Sequence, residues 1–326
     1  MKRIQQIGVL TLAVITVLLG GSCSTTCNKC GKGKPSLAFE QKDTEIIITC
    51  GGKLVADYIY QDDKILRPYF AHVHTLDGIQ VTRNYPPIAG VDPVDHSTMH
   101  PGVWMAFGTI GGQDFWRNKA TIRHDKFTRK PRVRKGVLTF GTKSTMLTTN
   151  NEPLAKLDLN FKLTPCCDGY FLIWDAAFTP TMDGFSFGDQ EEMGFGVRVA
   201  TPMAEKNGGT IVNSDGLKGA KESWGKIALW SDYSGVISNR WVGIASMPDP
   251  HNFQPSWFHN RNYGLMVANM FGRKAFTKQG EPSQVPVAKG ETFHLRWAAY
   301  IHSSATNEPP DISAAYQCFL GMQADR

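Results

Sequence analysis

Strict two-residue alternation constrains this chain most. In Leu157-Asp158-Leu159-Asn160-Phe161-Lys162-Leu163 every second side chain is apolar. An extended strand puts those four on one face, and a helix would scatter them around its axis. Phe293, Leu295, Trp297, Ala299 and Ile301 repeat the pattern against His294, Arg296 and His302. Shorter strands are expected at Glu45–Thr49, Leu54–Tyr60, Gly102–Ile110, Gly136–Thr142, Tyr170–Phe178, Gly196–Ala200, Lys226–Trp230, Trp241–Met247 and Leu265–Met270. Turn signals separate them, among them Gly111-Gly112, Asp168-Gly169, Asp183-Gly184 and Ser234-Gly235. Only Ile312–Met322 reads as a helix, behind Asp311 or Ser313 as cap. No linker or repeat divides residues 36–326. The expectation is therefore all-β: one large two-sheet antiparallel β-sandwich domain with a short C-terminal helix.

The start of the chain has another character. Lys2 and Arg3 precede an apolar run from Ile7 to Leu19, and Gly20, Gly21 and Ser22 lead to Cys23. This predicts a signal peptide over 1–22, with Cys23 as a lipidation site or plain secretion as the alternative. Residues 23–35 form a tether rich in Cys, Gly and Lys. Its single CxxC pair, Cys27 and Cys30, is a weak zinc signal. Export permits disulfides among Cys50, Cys166, Cys167 and Cys318, but the sequence assigns none. The formal net charge is +6, and Lys2 and Arg3 supply two of it. The remaining excess is too small to imply nucleic acid. The expected location is the periplasm, the outer membrane or the exterior, with the membrane touched only through a lipid anchor.

Four polar and aromatic segments carry the candidate chemistry. The first holds Arg67 and Arg83, forked donors suited to a hydroxyl-rich or anionic ligand. The alternative for both is an ion pair inside the sandwich. The second runs from Asp95-His96 through His100 to Trp104 and on to Phe115-Trp116. Its histidines suit acid/base work near neutral pH. Asp95, His96 and His100 also have the composition of a divalent-metal site, although Pro93 and Pro101-Gly102 bracket them in a loop where residues four apart need not share a face. No cofactor is otherwise expected. The third segment contains Glu191 and Glu192. Alternation extended back from Gly196–Ala200 sets Glu192 on the side of Arg198, as an acid or base or as that arginine's partner. The fourth offers Trp257, Phe258 and Tyr263 as a stacking platform and His259, Arg261 and Asn262 as directional donors and acceptors. The stretch Arg117–Lys135 has nine Lys/Arg against one acid, Asp125, and reads as a hairpin with a solvated face.

The stretches RPYFAHVHTLDGIQVTRNYPP, DHSTMHPGVWMAFGTIGGQDFWRNKA, FGDQEEMGFGVRVATPM, WGKIALWSDYSG and WFHNRNYGLMVANMFG resemble a bacterial family labelled "methane oxygenase PmoA". Many members have a shorter His segment, and Asn262 stands where they carry an Asp. The resemblance implies a soluble, often exported β protein of polysaccharide-degrading bacteria, galactose-mutarotase-like by analogy. The methane-oxygenase label itself does not transfer, because no apolar segment of about 20 residues follows the leader. The resulting reading is a carbohydrate-active enzyme of epimerase, lyase or hydrolase type. His96, His100 and Glu192 would be catalytic. Arg67, Arg83, Trp104, Trp257, His259, Arg261 and Asn262 would bind a sugar or oligosaccharide. A non-catalytic glycan-binding lipoprotein and a metal enzyme using Asp95, His96 and His100 are the alternatives.

Overall fold

A computed structural model describes residues 36–322 apart from 167, 182 and 307. The leader, the tether with Cys23, Cys27 and Cys30, and Cys167 lie outside the described residues. Two large sheets face one another, and every ladder is antiparallel. The first has nine strands in the order Leu37–Gln41, Glu45–Cys50, Lys53–Ile59, Tyr69–Ala71, Val103–Phe107, Met193–Arg198, Leu265–Asn269, Trp257–Phe258 and Lys226–Ile227. The second has eight, in the order Thr210–Asn213, Ser231–Ile237, Arg240–Pro248, Phe293–Ala305, Gly169–Pro180, Pro153–Cys166, Val137–Leu147 and Thr121–Arg134. A two-stranded ribbon, Gly184–Phe187 with Val285–Ala288, stands beside them.

The alternating segments line the space between the sheets. Leu157, Leu159, Phe161 and Leu163 are buried there with Leu295, Trp297, Ala299 and Ile301. Rings bridge the layers: Tyr58 and Phe70 of the nine-stranded sheet pack against Phe161 at 4.7 and 5.4 Å between centroids. Phe195 and Trp297 do the same at 5.7 Å. Each such ring contributes about 1.5–3 kcal/mol by leaving water, and the tilted pairs add about 0.5–1.5 kcal/mol.

The basic stretch Arg117–Lys135 contains the edge strand Thr121–Arg134. Its Lys and Arg side chains, Pro131 and irregular register discourage a further strand from pairing there. The Ile312–Leu320 helix starts at Asp311, whose carboxylate accepts from the Ala314 amide at 2.9 Å. Ile312, Ala315, Tyr316 and Phe319 form its buried stripe. They cover Phe171, Ile173, Ala245, Met247, Ala298 and Tyr300 on the outer face of the eight-stranded sheet. Among the described residues no helix is long and apolar enough to cross a membrane.

Candidate functional site

The site lies on the outer face of the nine-stranded sheet. In Val103–Phe107 the residues Val103, Met105 and Phe107 point into the shared core, whereas Trp104 and Ala106 join a separate outer cluster with Trp116, Leu265 and Val267. Trp104 pairs in register with Gly196 of the neighbouring strand. Its indole occupies the space of a side chain there: a Cβ on Gly196 would come within 2.5 Å of the ring. Stacked outward on Trp104 are His100, at 5.2 Å, and then His96, at a further 4.7 Å. Tyr263 lies nearly parallel to His96 at 6.2 Å.

The loop carrying both histidines is held by its main chain. Arg83 donates to the carbonyls of Pro93, Asp95, His96 and His100. Arg67 donates to Met99 O at 2.6 Å and to Phe115 O and Trp116 O. Asn118 donates to Thr98 O at 2.9 Å. Inside this clamp His96 has the left-handed φ of +49°, a conformation that non-glycine residues enter at a cost. The His100 amide bonds to His96 O at 3.0 Å. That single α-turn brings residues four apart into contact without a helix, so the bracketing prolines do not separate the two rings.

The two imidazoles differ in their protons. Asp95 is gripped by both terminal nitrogens of Arg198, each at 2.9 Å, and accepts from His96 Nδ1 at 2.8 Å. Burial alone would raise the Asp95 pKa, but Arg198 and His96 together hold it well below the usual carboxylate range. An ionised Asp95 fixes the His96 proton on Nδ1 and leaves Nε2 as an acceptor with no partner among the described residues. His100 is the reverse. Arg198 has only donors, so at 3.3 Å it makes His100 Nδ1 an acceptor and puts the proton on Nε2. Burial first, and then the Arg198 charge, keep the His100 pKa well below 6.5. His100 is thus a neutral donor rather than a base. Its Nε2 is hydrogen-bonded to nothing described, yet it is not among the polar atoms sealed from solvent.

His96 and His100 share a cleft of about 80 Å³ with Glu192, Arg117, His259, Tyr263 and Trp116. Glu192 pairs with Arg117 at 3.0 Å rather than with Arg198, whose guanidinium is committed to Asp95. Glu191 takes the other side, bonding Arg261 at 3.0 Å. His259 lines the cleft with both nitrogens engaged. Nε2 accepts from Arg261 Nε at 2.7 Å, and Nδ1 donates to Glu191 O at 3.2 Å. Burial and then the Arg261 charge lower its pKa to about 4.

Several sequence expectations are corrected by this geometry. Arg67 and Arg83 are 2% and 1% exposed and donate to carbonyls, so they build the loop and do not meet a ligand. Trp104 is wholly buried beneath His100, and Trp257 is buried beside Phe276, so neither is a platform for a sugar. Asn262 faces a different cavity. His259 braces the loop of Glu191 and has no spare nitrogen. Asp95, His96 and His100 do not form a metal triad, because both Asp95 oxygens hold a guanidinium that also faces His100. Among the described residues no group of three or more His, Cys, Asp or Glu is placed to hold a metal ion. Two contributors went unrecognised as site residues. Arg117 was grouped with the basic hairpin, and Asn118, with a left-handed φ of +56°, carries no motif.

A family profile matches residues 45–317. The chain belongs to that family, a family of unknown function (DUF6807). No curated protein matches this DUF6807 chain. Among solved structures it is similar to a candidate kojibiose phosphorylase from the human microbiome (TM-score 0.39, 8% identity, 89% of this chain and 37% of that one). It is also similar to a galactose mutarotase-like protein from Lactobacillus casei (0.37, 7%, 82% and 100%) and to a heparan sulfate lyase mutant from Pedobacter heparinus (0.38, 5%, 86% and 37%). The chain thus spans little more than a third of the phosphorylase and of the lyase. Overlaps this loose lend the DUF6807 chain no substrate and no reaction.

Proposed function

We propose that this protein is an exported acid/base enzyme acting on a hydroxyl-rich substrate, a sugar or oligosaccharide, with no metal. One observation carries the reading: the open Nε2 of His96, backed by Asp95, meets the Nε2–H of His100 and the Glu192 carboxylate in one cleft. His96 takes a proton from a substrate C–H or O–H, and Asp95 stabilises the imidazolium that forms. The His100 Nε2–H donates to the substrate oxygen on which charge develops, and its preset tautomer costs nothing at that moment. Glu192 and Arg117 accept from and donate to neighbouring hydroxyls. Delivery of a proton to the opposite face of the carbon completes an epimerisation, and delivery of the proton to a leaving oxygen completes an elimination. In a hydrolysis the O–H that His96 deprotonates is that of the attacking water, and the proton passes to the leaving oxygen. A cleft of about 80 Å³ takes one functional group of the substrate, so the rest of a glycan lies across the mouth beside Tyr263. Export with Cys23 as the lipid anchor is part of the proposal and rests on the run from Lys2 to Cys23.

The test is a panel of neutral and acidic oligosaccharides incubated with the protein, with products followed by NMR. His96 is exposed, so His96→Ala leaves the fold intact. The expected result is conversion of one sugar class and a loss of about 10²–10⁴-fold in turnover for His96→Ala. Unchanged turnover in that variant overturns the assignment. Binding without any conversion favours the glycan-binding alternative.

A further inference from the structure

The hairpin tip that gives His259 and Tyr263 to the cleft has a second side. Asn260, Arg261 and Asn262 line a separate cavity of about 500 Å³, walled opposite by Trp224, Lys206 and Lys221. We propose that this cavity is a binding site for an anionic sugar unit, carboxylated or sulfated, within a glycan.

Unspent hydrogen-bonding capacity is the first argument. Asn260 is 1% exposed, and its Nδ2 donates to Ser223 Oγ at 2.9 Å and Ser231 Oγ at 3.1 Å. Its Oδ1 is buried with no partner among the described residues. Orphaned buried acceptors are rare in native proteins; closed to solvent as it stands, this one is reached by a ligand hydroxyl with a small movement of the cavity wall. Trp224 Nε1 is likewise buried and without a partner among the described residues.

Charge is the second argument. Lys206 and Lys221 make no ion pair among the described residues, and Arg261 adds a third cation. Arg261 is held to Glu191 through one terminal nitrogen and to His259 through Nε, and its other terminal nitrogen bonds nothing described. The one lining carboxylate, Glu205, accepts from the Ala220 amide at 3.0 Å and offsets one of the three cations. The wall is also preformed. The Tyr233 hydroxyl accepts from the Glu205 amide at 2.7 Å and reaches the carbonyls of Arg261 and Asn262 at 3.2 Å, and the Lys206 amide bonds Asn262 O at 3.0 Å.

Size and shape select a sugar over an inorganic ion. The volume falls within the range of small-molecule sites, roughly 300–1,000 Å³, and the Trp224 indole gives an apolar surface among the donors. The site stands apart from the chemistry proposed for the His cleft, and Arg261 is the wall between the two.

Calorimetric titration of the whole protein tests the assignment with three probes of equal length: tetragalacturonate, a sulfated galactan tetrasaccharide and a neutral galactan tetrasaccharide. Binding of at least one anionic probe is expected, with the neutral one weaker by about tenfold or more. The variant carrying Lys206→Ala and Lys221→Ala, both exposed, is expected to lose about tenfold in affinity for that probe. His96→Ala is expected to bind it as the wild type does, which separates this site from the catalytic reading. Whichever anionic probe binds identifies the carboxylate or the sulfate. Equal binding of the neutral probe, an unaltered double variant, or failure of all three probes to bind overturns the proposal.

Discussion

The outer faces of the two sheets solve the same problem in opposite ways. On the eight-stranded sheet Phe171, Ile173, Ala298 and Tyr300 are covered by the C-terminal helix, and the cover is apolar but for Arg296, whose guanidinium lies over Phe319 and donates to Met322 O. On the nine-stranded sheet the outer cluster around Trp104 and Trp116 is capped by a loop whose carbonyls end on buried guanidinium groups. Apolar cover seals a face and leaves nothing to react. Polar cover must find partners for most of its buried donors and acceptors, and the networks that do so fix two imidazoles in opposite tautomers, although Arg67 Nε, Arg83 Nε and Trp104 Nε1 stay without a partner among the described residues. Functional groups therefore collect where the sheet is covered by loops.

Removing a ring from the sealed face is the largest perturbation of this contrast. Phe319→Ala empties a fully buried position and is expected to cost about 3–5 kcal/mol by urea denaturation. Turnover per folded molecule is expected to stay unchanged, and a parallel loss of activity would break the division between the faces. Gly196→Ala is expected to be milder in stability, about 1–3 kcal/mol, but to lower turnover. The new Cβ would push Trp104, and with it His100, out of the column. Wild-type turnover in that variant would show that the stack does not position His100. The smallest effect is on pH. His259 and His100 have folded pKa values below the ordinary 6.5, to about 4 for His259. Their stabilisation is complete above about pH 6.5 and is lost as pH falls toward 4, because only the unfolded chain takes up the protons in that window. His72 acts oppositely: its hydrogen bond to Asp57 raises its pKa, and its contribution is present at low pH and lost as pH rises through the raised value. Melting temperature is expected to fall between pH 7 and pH 5, and less steeply in His259→Gln. A flat profile in the wild type would show that the buried histidines are not held neutral.

The sheets were legible because alternation is a local signal. Leu157 to Leu163 and Leu295 to Ile301 needed no knowledge of their partners, and Asp311 before an apolar stripe announced the last helix. The site was legible only as a set of segments. Nothing in the sequence says whether a guanidinium ends on a carboxylate, a ligand or loop carbonyls, and this is why Arg67 and Arg83 read as substrate-binding from sequence. The expected pairing of Glu192 with Arg198 overlooked Asp95, about a hundred residues earlier in the chain. The expectation that a proline-bracketed loop need not bring its histidines together underestimated one helical turn.

The grip on the histidine loop has a consequence for how the site can change. Arg67, Arg83 and Asn118 hold main-chain carbonyls, which every residue type presents alike. Thr98 is therefore anchored without regard to its side chain, Val94 and Ser97 sit between anchored neighbours, and Val94 stands open to solvent. New side chains can be tried on this loop while the backbone beneath stays in place. The loop is built for variation in what it recognises and for constancy in where His96 and His100 stand.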